Sequence, residues 1–145
     1  MQQQPKHFAF VLMPFDKAFD DVYKLAFKGA VALFDDVVAE RVDEQIYREG
    51  ILERIYRQIE AADIIIADMT GQNPNVFYEV GYAHAKSKLC ILLTSNAADI
   101  PFGLKHQRHI VYDKSIVTLR GELEIYPRCS ACDRCSTGNR SSTAM

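Results

Sequence analysis

The sequence predicts an α/β fold in which a five-stranded parallel sheet lies between two layers of helices. The first observation is that short apolar runs alternate with helix-period patterns about four times, as they do in parallel sheets. The second is the run at 62–68, whose apolar residues are continuous, which is typical of a central strand covered on both faces. Right-handed crossovers in a chain of 145 residues then favour a single three-layer domain with the flavodoxin-like strand order 2-1-3-4-5.

The five strands are predicted from apolar runs that turn residues separate. A buried run at 8–13 ends at Pro14, and a weaker run at 36–42 contains the strong strand formers Val37 and Val38. The other three strands are predicted at 62–68, 89–94 and 109–112.

Helices are predicted where apolar residues recur every three or four positions. This spacing indicates a first helix over 19–33, and Gly50 precedes a second helix whose isoleucines stack one turn apart. Asn73 as the N-cap and Pro74 at the first helical position predict the start of a third helix, which runs to about residue 86. A last helix is predicted over 114–124.

Composition limits the classes of function. With 48% apolar and 25% charged residues the chain reads as a soluble globular protein. A formal net charge of −2 removes the bulk electrostatic argument for a nucleic-acid partner. The longest apolar stretches are too short to cross a bilayer, so no membrane partner is expected. The first residues lack the apolar core of a secretory signal, which predicts a cytoplasmic protein.

The sequence predicts one domain over 1–126 and a disordered tail over 127–145, where the residues become small, polar and Cys-rich. Cys129, Cys132 and Cys135 have metal-like spacing, but three thiols leave one tetrahedral position empty, so no metal site is predicted. The chain has neither a GxGxxG loop nor a P-loop, and no cofactor is expected.

The ligand crevice of a sheet with this order opens at the carboxyl ends of strands one and three. Phe15 and Asp16 follow strand one, and Asp68 ends strand three shortly before Asn73. We expect the Phe15 ring and the three polar side chains to bind ligand. Structural alternatives stay open: packing for Phe15, helix capping for Asp16 and Asn73, and loop turning for Asp68.

Glu79 is the candidate catalytic residue. Its spacing from Asn75 and Tyr82 predicts that these three side chains share one face of the third helix, with Asn75 and Tyr82 binding ligand. Because Glu79 lies little more than one turn inside the helix, the helix dipole is expected to favour its ionised form. A fixed carboxylate suits cleavage of a glycosidic bond, whose transition state carries positive charge at the anomeric carbon. The alternative is a solvated helix glutamate.

Two segments carry a resemblance to a known family. They are the Met-Pro-Phe-Asp element within 10–16 and the long block 63–85, which contains Asp-x-Thr-Gly-x-Asn-Pro-Asn-Val-Phe-Tyr-Glu-x-Gly-Tyr-Ala. Together with 89–94 and 100–113, they resemble the bacterial TIR-like and nucleoside 2-deoxyribosyltransferase-like domains over roughly residues 8–113.

The resemblance implies a flavodoxin-like fold and chemistry at a ribosyl anomeric carbon. In the transferases the glutamate of the Glu-x-Gly-Tyr-Ala block is the nucleophile, which corresponds to Glu79. The transferases also carry an aspartate six residues before it, where this chain has Asn73. In TIR enzymes that cleave NAD, a glutamate on the corresponding helix engages the ribose. Relatives often complete the pocket with a neighbouring chain, which implies a homodimer.

Two functions follow from these observations. The leading hypothesis is an N-glycosidase-type enzyme that cleaves or transfers the N-glycosidic bond of a nucleoside, nucleotide or NAD-like ligand. The alternative, favoured by the amide at Asn73, is a non-catalytic nucleotide-binding sensor or signalling module that uses the same cleft.

Overall fold

The computed structural model describes residues 7–41, 50–107, 109–113 and 115–130. Within these residues the sheet has five parallel strands in the order β2-β1-β3-β4-β5. Their bounds are β1 His7–Leu12, β2 Val37–Arg41, β3 Ile64–Asp68, β4 Leu89–Thr94 and β5 His109–Val111. The predicted α/β fold and strand order are therefore confirmed.

The α-helices of the described residues are α1 Lys28–Val31, α2 Ile51–Ala61, α3 Pro74–Ala85 and α4 Ile116–Ser130. A π-helix, Val22–Phe27, runs directly into α1. Helix α3 begins where the sequence predicts it, because Asn73 caps the helix and Pro74 occupies its first turn.

The sheet is buried on both faces, which explains the continuous apolar runs of its strands. One face packs against α2 and α3 through the cluster that contains Phe10, Leu12, Ile65, Ala67 and Leu92. The other face packs against the π-helix, α1 and α4 through the cluster that contains Ala9, Val11, Ile66, Ile91 and Leu93. Successive residues of each central strand thus contribute to opposite clusters, as the period of two in a strand requires.

The strand order places a ligand crevice beside β1. Strand β2 pairs with one edge of β1 and β3 with the other, so the chain connections leave β1 and β3 on opposite sides. The loops that follow these two strands, 13–16 and 69–73, therefore separate at the carboxyl ends of β1 and β3, which is where open α/β sheets bind ligands.

The single first helix predicted over 19–33 is instead three helical pieces. A 3₁₀ turn, Lys17–Phe19, precedes the π-helix and α1. The buried rings of Tyr23 and Phe27, with centroids 6.3 Å apart, hold the π-helix against the core, and Arg41 stacks on Tyr23 at 4.6 Å. Apolar spacing of three and four residues predicts a helical face but does not distinguish α from π hydrogen bonding. The π-helix is therefore not predicted from the sequence.

Helix α4 ends later than predicted, at Ser130 rather than near residue 124, and so enters the segment for which the sequence predicts disorder. The rest of that predicted tail, 131–145, lies outside the described residues. In the described ranges, no helix combines the length and apolar character that crossing a membrane requires.

Candidate functional site

A cavity of about 210 Å³ lies at the carboxyl end of β1, between the first turns of α2 and α3. We call it the Glu79 cavity. Its walls are mostly apolar, with a few polar groups contributed by α3, which is the usual composition of small-molecule sites. The lining residues are Phe10, Val11, Leu12, Met13, Pro14, Phe15, Ile51, Leu52, Ile55, Asn73, Asn75, Val76, Tyr78 and Glu79.

Glu79 is a buried wall residue of this cavity. Its side chain is only 9% exposed, because α2 packs against this part of α3. Among the described residues, no hydrogen-bond or ion-pair partner contacts its carboxylate. The structure therefore excludes the alternative of a solvated helix glutamate and leaves the carboxylate without a partner inside the described part of the protein.

Burial raises the pKa of Glu79 to about 7. The net pKa shift is therefore opposite to the modest one expected from the helix dipole. The dipole effect is small and falls off within the first turn. The desolvation of a carboxylate in an apolar wall is a larger effect, and it favours the protonated form.

Asn73 and Asn75 place two side-chain amides at the cavity. The Oδ1 atom of Asn73 accepts hydrogen bonds from the backbone N–H groups of Asn75 at 3.0 Å and Val76 at 3.3 Å. Asn73 is thus the cap of α3 and a wall residue at once, while Asn75 is exposed at the rim. Both predicted residues lie with Glu79 around one cavity.

Phe15 lies between the Glu79 cavity and a wide, open depression of about 690 Å³. Its ring is 54% exposed and lines both spaces, so it is available to a ligand. Asp16 lines only the depression, where its side chain also accepts a 3.0 Å hydrogen bond from the backbone N–H of Ala18. Gly71 and Gln72 form the opposite wall of this depression with positive φ angles of 77° and 54°.

Asp68 is fully buried beneath the loop at 69–73 and does not line the Glu79 cavity. Its carboxylate accepts hydrogen bonds from the Tyr112 hydroxyl at 2.7 Å, from the Thr70 backbone N–H at 3.0 Å, and from the Thr70 hydroxyl. Burial raises the pKa of Asp68, while these hydrogen bonds act in the opposite direction. These contacts hold the turn into the loop at 69–73, which is the structural alternative that the sequence leaves open for Asp68.

Tyr82 lies outside the cavity, although the spacing predicts it on the face of Glu79. Its ring packs on Tyr56 of α2 with centroids 4.4 Å apart, and its hydroxyl donates a 2.9 Å hydrogen bond to Glu60. A three-residue step turns a side chain about 60° away from the starting direction, and here this turn directs Tyr82 to α2. Tyr78 is the tyrosine of α3 that lines the cavity.

Tyr56 and Tyr78 join α2 to α3 beside Glu79. Their hydroxyl groups are 2.5 Å apart, and this hydrogen bond is the main cause that raises the pKa of Tyr56 to about 12. The α2 wall of the cavity consists of three residues that the sequence did not single out as site residues, Ile51, Leu52 and Ile55. The one-turn spacing of the isoleucines predicts a buried helix face but not which space that face covers.

The described residues contain no cluster of three or more His, Cys, Asp or Glu side chains that can hold a metal ion. The side chains of Cys129, Cys132 and Cys135 lie outside the part of the structure that is described, so the prediction made for them stays a prediction. The lining of the Glu79 cavity has one carboxylate, which by itself does not form a divalent-metal site.

Comparisons with known proteins give a matching family model and a solved structure of similar fold. The model of the nucleoside 2-deoxyribosyltransferase family matches residues 11–126. Among solved structures, the 2-desoxiribosyltransferase from Leishmania mexicana is similar at 20% identity and a TM-score of 0.57, over 81% of this chain and 97% of that chain. A search of the curated proteins finds no match.

The likeness to the solved structure, at 20% identity, shows the fold alone, while the family model also shows the family. The TIR-like part of the resemblance gains no support from these findings. The matched range includes β1 from Val11 onwards, all of α3 and nearly all of the lining of the Glu79 cavity. On this match, the chain belongs to the nucleoside 2-deoxyribosyltransferase family.

Proposed function

We propose that this protein breaks the N-glycosidic bond of a nucleoside, nucleotide or NAD-like ligand, with Glu79 as the nucleophile. The observation that carries the proposal is a buried, unpartnered carboxylate in the wall of a cavity at the carboxyl ends of the central strands. An isolated buried carboxylate destabilises a fold, and such groups cluster at functional sites. Membership of the family supports glycosyl chemistry on nucleosides.

The reaction has two steps at the anomeric carbon. An oxygen of ionised Glu79 forms a bond to C1′ while the bond from C1′ to the base nitrogen breaks, and its electron pair leaves with the base. Water or a second base then attacks C1′ and releases Glu79 as a carboxylate. Water gives hydrolysis, and an acceptor base gives transfer. With a pKa of about 7, roughly half of the Glu79 carboxylates are ionised at neutral pH.

The other wall residues have binding roles in this proposal. The amide nitrogen of Asn73 is a free donor, because only its Oδ1 atom has described partners, and Asn75 adds a second amide at the rim. We assign these amides to the sugar hydroxyls and the exposed ring of Phe15 to the base. The cavity alone is smaller than the roughly 300–1,000 Å³ of typical ligand sites, and the adjoining depression provides the remaining room.

The direct test is an incubation of the purified protein with deoxyribonucleosides, ribonucleosides, their 5′-monophosphates and NAD, with and without a second free base. Chromatography detects the released base and any exchanged nucleoside. Glu79→Gln is expected to abolish both products, while Glu122→Gln, an exposed carboxylate on α4, is expected to leave them unchanged. Equal product from the protein and from Glu79→Gln would refute the assignment of Glu79.

A second candidate function is nucleotide binding without turnover. The observation that favours it is the amide of Asn73, which caps α3 and cannot exchange a proton where the transferases of the resemblance carry an aspartate. In this case a ligand from the same panel raises the melting temperature while no base is released. Accumulation of free base excludes this second candidate.

We also propose that the protein forms a homodimer across the mouth of the cavity. Apolar side chains at this mouth are unusually exposed: Phe15 at 54%, Ile51 and Leu52 each at 46%. Burying these side chains against a second copy is favourable, at about 25 cal/mol per Å² of apolar surface. Sedimentation equilibrium of the protein and of Leu52→Glu tests this proposal, since the charged variant is expected to be monomeric.

A further inference from the structure

Tyr78 brings a second proton-bearing group to the Glu79 cavity. It directly precedes Glu79 on α3, lines the same cavity and is 59% exposed. The proposed two-step reaction assigns it no role. A departing base needs such a group, because most bases leave as anions that must be protonated.

The Tyr78 hydroxyl is held in place from α2. It shares a 2.5 Å hydrogen bond with the Tyr56 hydroxyl, and the two rings lie 6.4 Å apart. The Tyr56 ring in turn packs on the ring of Tyr82, with centroids 4.4 Å apart. The hydrogen bond and the ring contacts of Tyr56 together restrict the position of Tyr78.

Other polar side chains of the described cavity lining do not supply a proton. Asn73 and Asn75 carry amides, which donate hydrogen bonds but do not release protons at any pH the protein survives. Glu79 must be ionised to act as the nucleophile. Among the described residues that line the cavity, Tyr78 is thus the remaining side chain with a transferable proton.

We propose that Tyr78 is the acid that protonates the departing base, and that Tyr56 is the positioning residue that holds it. This inference rests on the proposed function. As the bond from C1′ to the base nitrogen breaks, its electron pair takes the Tyr78 hydroxyl proton and the base leaves neutral. The Tyr56 hydroxyl donates its hydrogen bond to the Tyr78 phenolate. The incoming water or acceptor base loses a proton when it attacks C1′, and this proton restores Tyr78.

A pair of substrates that differ in their need for a proton tests the proposal. The base of 2′-deoxyguanosine requires protonation to leave, whereas the cationic base of 7-methyl-2′-deoxyguanosine leaves neutral without it. Tyr78→Phe is expected to lower kcat/KM for 2′-deoxyguanosine by about 10²-fold or more, the usual contribution of a general acid. It is expected to lower kcat/KM for the methylated substrate less than about tenfold. Tyr56→Phe is expected to show the same pattern, more weakly.

Tyr82→Phe is the matched control, because it keeps the ring that packs on Tyr56 and removes only a hydroxyl that binds Glu60, outside the cavity. It is expected to leave both rates unchanged. An equal loss on both substrates in Tyr78→Phe indicates a structural role and refutes the inference alone, as does no loss at all. Absence of turnover of both substrates by the unaltered protein refutes the proposed function and this inference with it.

Discussion

The Tyr112 hydroxyl donates a 2.7 Å hydrogen bond to the carboxylate of Asp68, although the two residues are 44 positions apart in the chain. Asp68 ends β3 and Tyr112 directly follows β5, so this bond joins the carboxyl ends of two strands that are not neighbours in the sheet. Thr70 binds the same carboxylate and opens the loop that leads to α3. The position of α3, and of Glu79 on it, therefore depends on this buried group.

Replacing Tyr112 with Phe is expected to destabilise the protein. The change removes one donor from a fully buried carboxylate, which costs about 1–3 kcal/mol. Burial raises the pKa of Asp68 and loss of the donor raises it further, so the unfolding free energy should fall more at pH 8 than at pH 5. Urea unfolding at the two pH values measures the difference.

Tyr82→Phe is the control for this prediction, since its hydroxyl binds the exposed Glu60. We expect a clearly smaller loss of stability that is the same at both pH values. A loss as large as that of Tyr112→Phe would show that the hydrogen bond to Asp68 stabilises the fold no more than an exposed hydrogen bond does.

Glu79→Gln is expected to stabilise the protein at pH 8. The pKa of Glu79 is raised from 4.5 to about 7 on folding, so the folded state binds this proton more tightly than the unfolded state. The stability that this proton provides is complete below about pH 4.5 and is lost as the pH rises through 7. Because a tenfold difference in proton affinity corresponds to about 1.4 kcal/mol, the loss at pH 8 amounts to about 3 kcal/mol at most.

The measurement is the free energy of unfolding at pH 4.5 and at pH 8. The glutamine variant should match the original protein at pH 4.5 and exceed it at pH 8 by about 1–3 kcal/mol. Glu122→Gln, which changes an exposed carboxylate on α4, should follow the original protein at both pH values. A glutamine variant that is less stable at pH 8 would contradict the unpartnered state of Glu79.

Activity is expected to depend on the same ionisation. If Glu79 attacks C1′ as a carboxylate, kcat/KM should fall about tenfold per pH unit below 7 and level off above it. The profile of base release between pH 4.5 and 9 gives this midpoint. A midpoint near 4.5, the ordinary value for glutamate, would contradict a buried nucleophile.

The sequence predicts the parts of this site that depend on local spacing and strand order. The strands β1, β3 and β4 are buried on both faces, so their apolar letters are continuous and their order follows from the handedness of the crossovers. Asn73 and Pro74 mark the start of α3, and the helical repeat then fixes the position of Glu79 relative to that start.

Features that depend on contacts between α2 and α3 are not predictable in this way. The raised pKa of Glu79 follows from burial where α2 packs against α3 and supplies Ile51 and Ile55 to the wall of the cavity. The hydrogen bond between Tyr56 and Tyr78 joins residues 22 positions apart, and nothing in the helical repeat indicates that Tyr56 of α2 meets both tyrosines of α3. Such pairings are decided by how two helices pack, and the sequence of one helix does not contain that information.

Variants of Asn73 separate its capping role from its role in the reaction. Asn73→Ala removes the acceptor of two backbone N–H groups and is expected to cost about 1 kcal/mol of stability. Asn73→Asp keeps that acceptor and places a negative charge at the start of a helix, where it is favourable, so stability should be retained.

The added carboxylate adjoins the cavity of Glu79, and repulsion between like charges should raise the pKa of Glu79 further. The midpoint of the pH profile of base release is therefore expected to move upward in Asn73→Asp and to stay near 7 in Asn73→Ala. Thermal melts of the same preparations measure the stability of the two variants. An unchanged midpoint in the aspartate variant would place Asn73 too far from Glu79 to act on the same ligand.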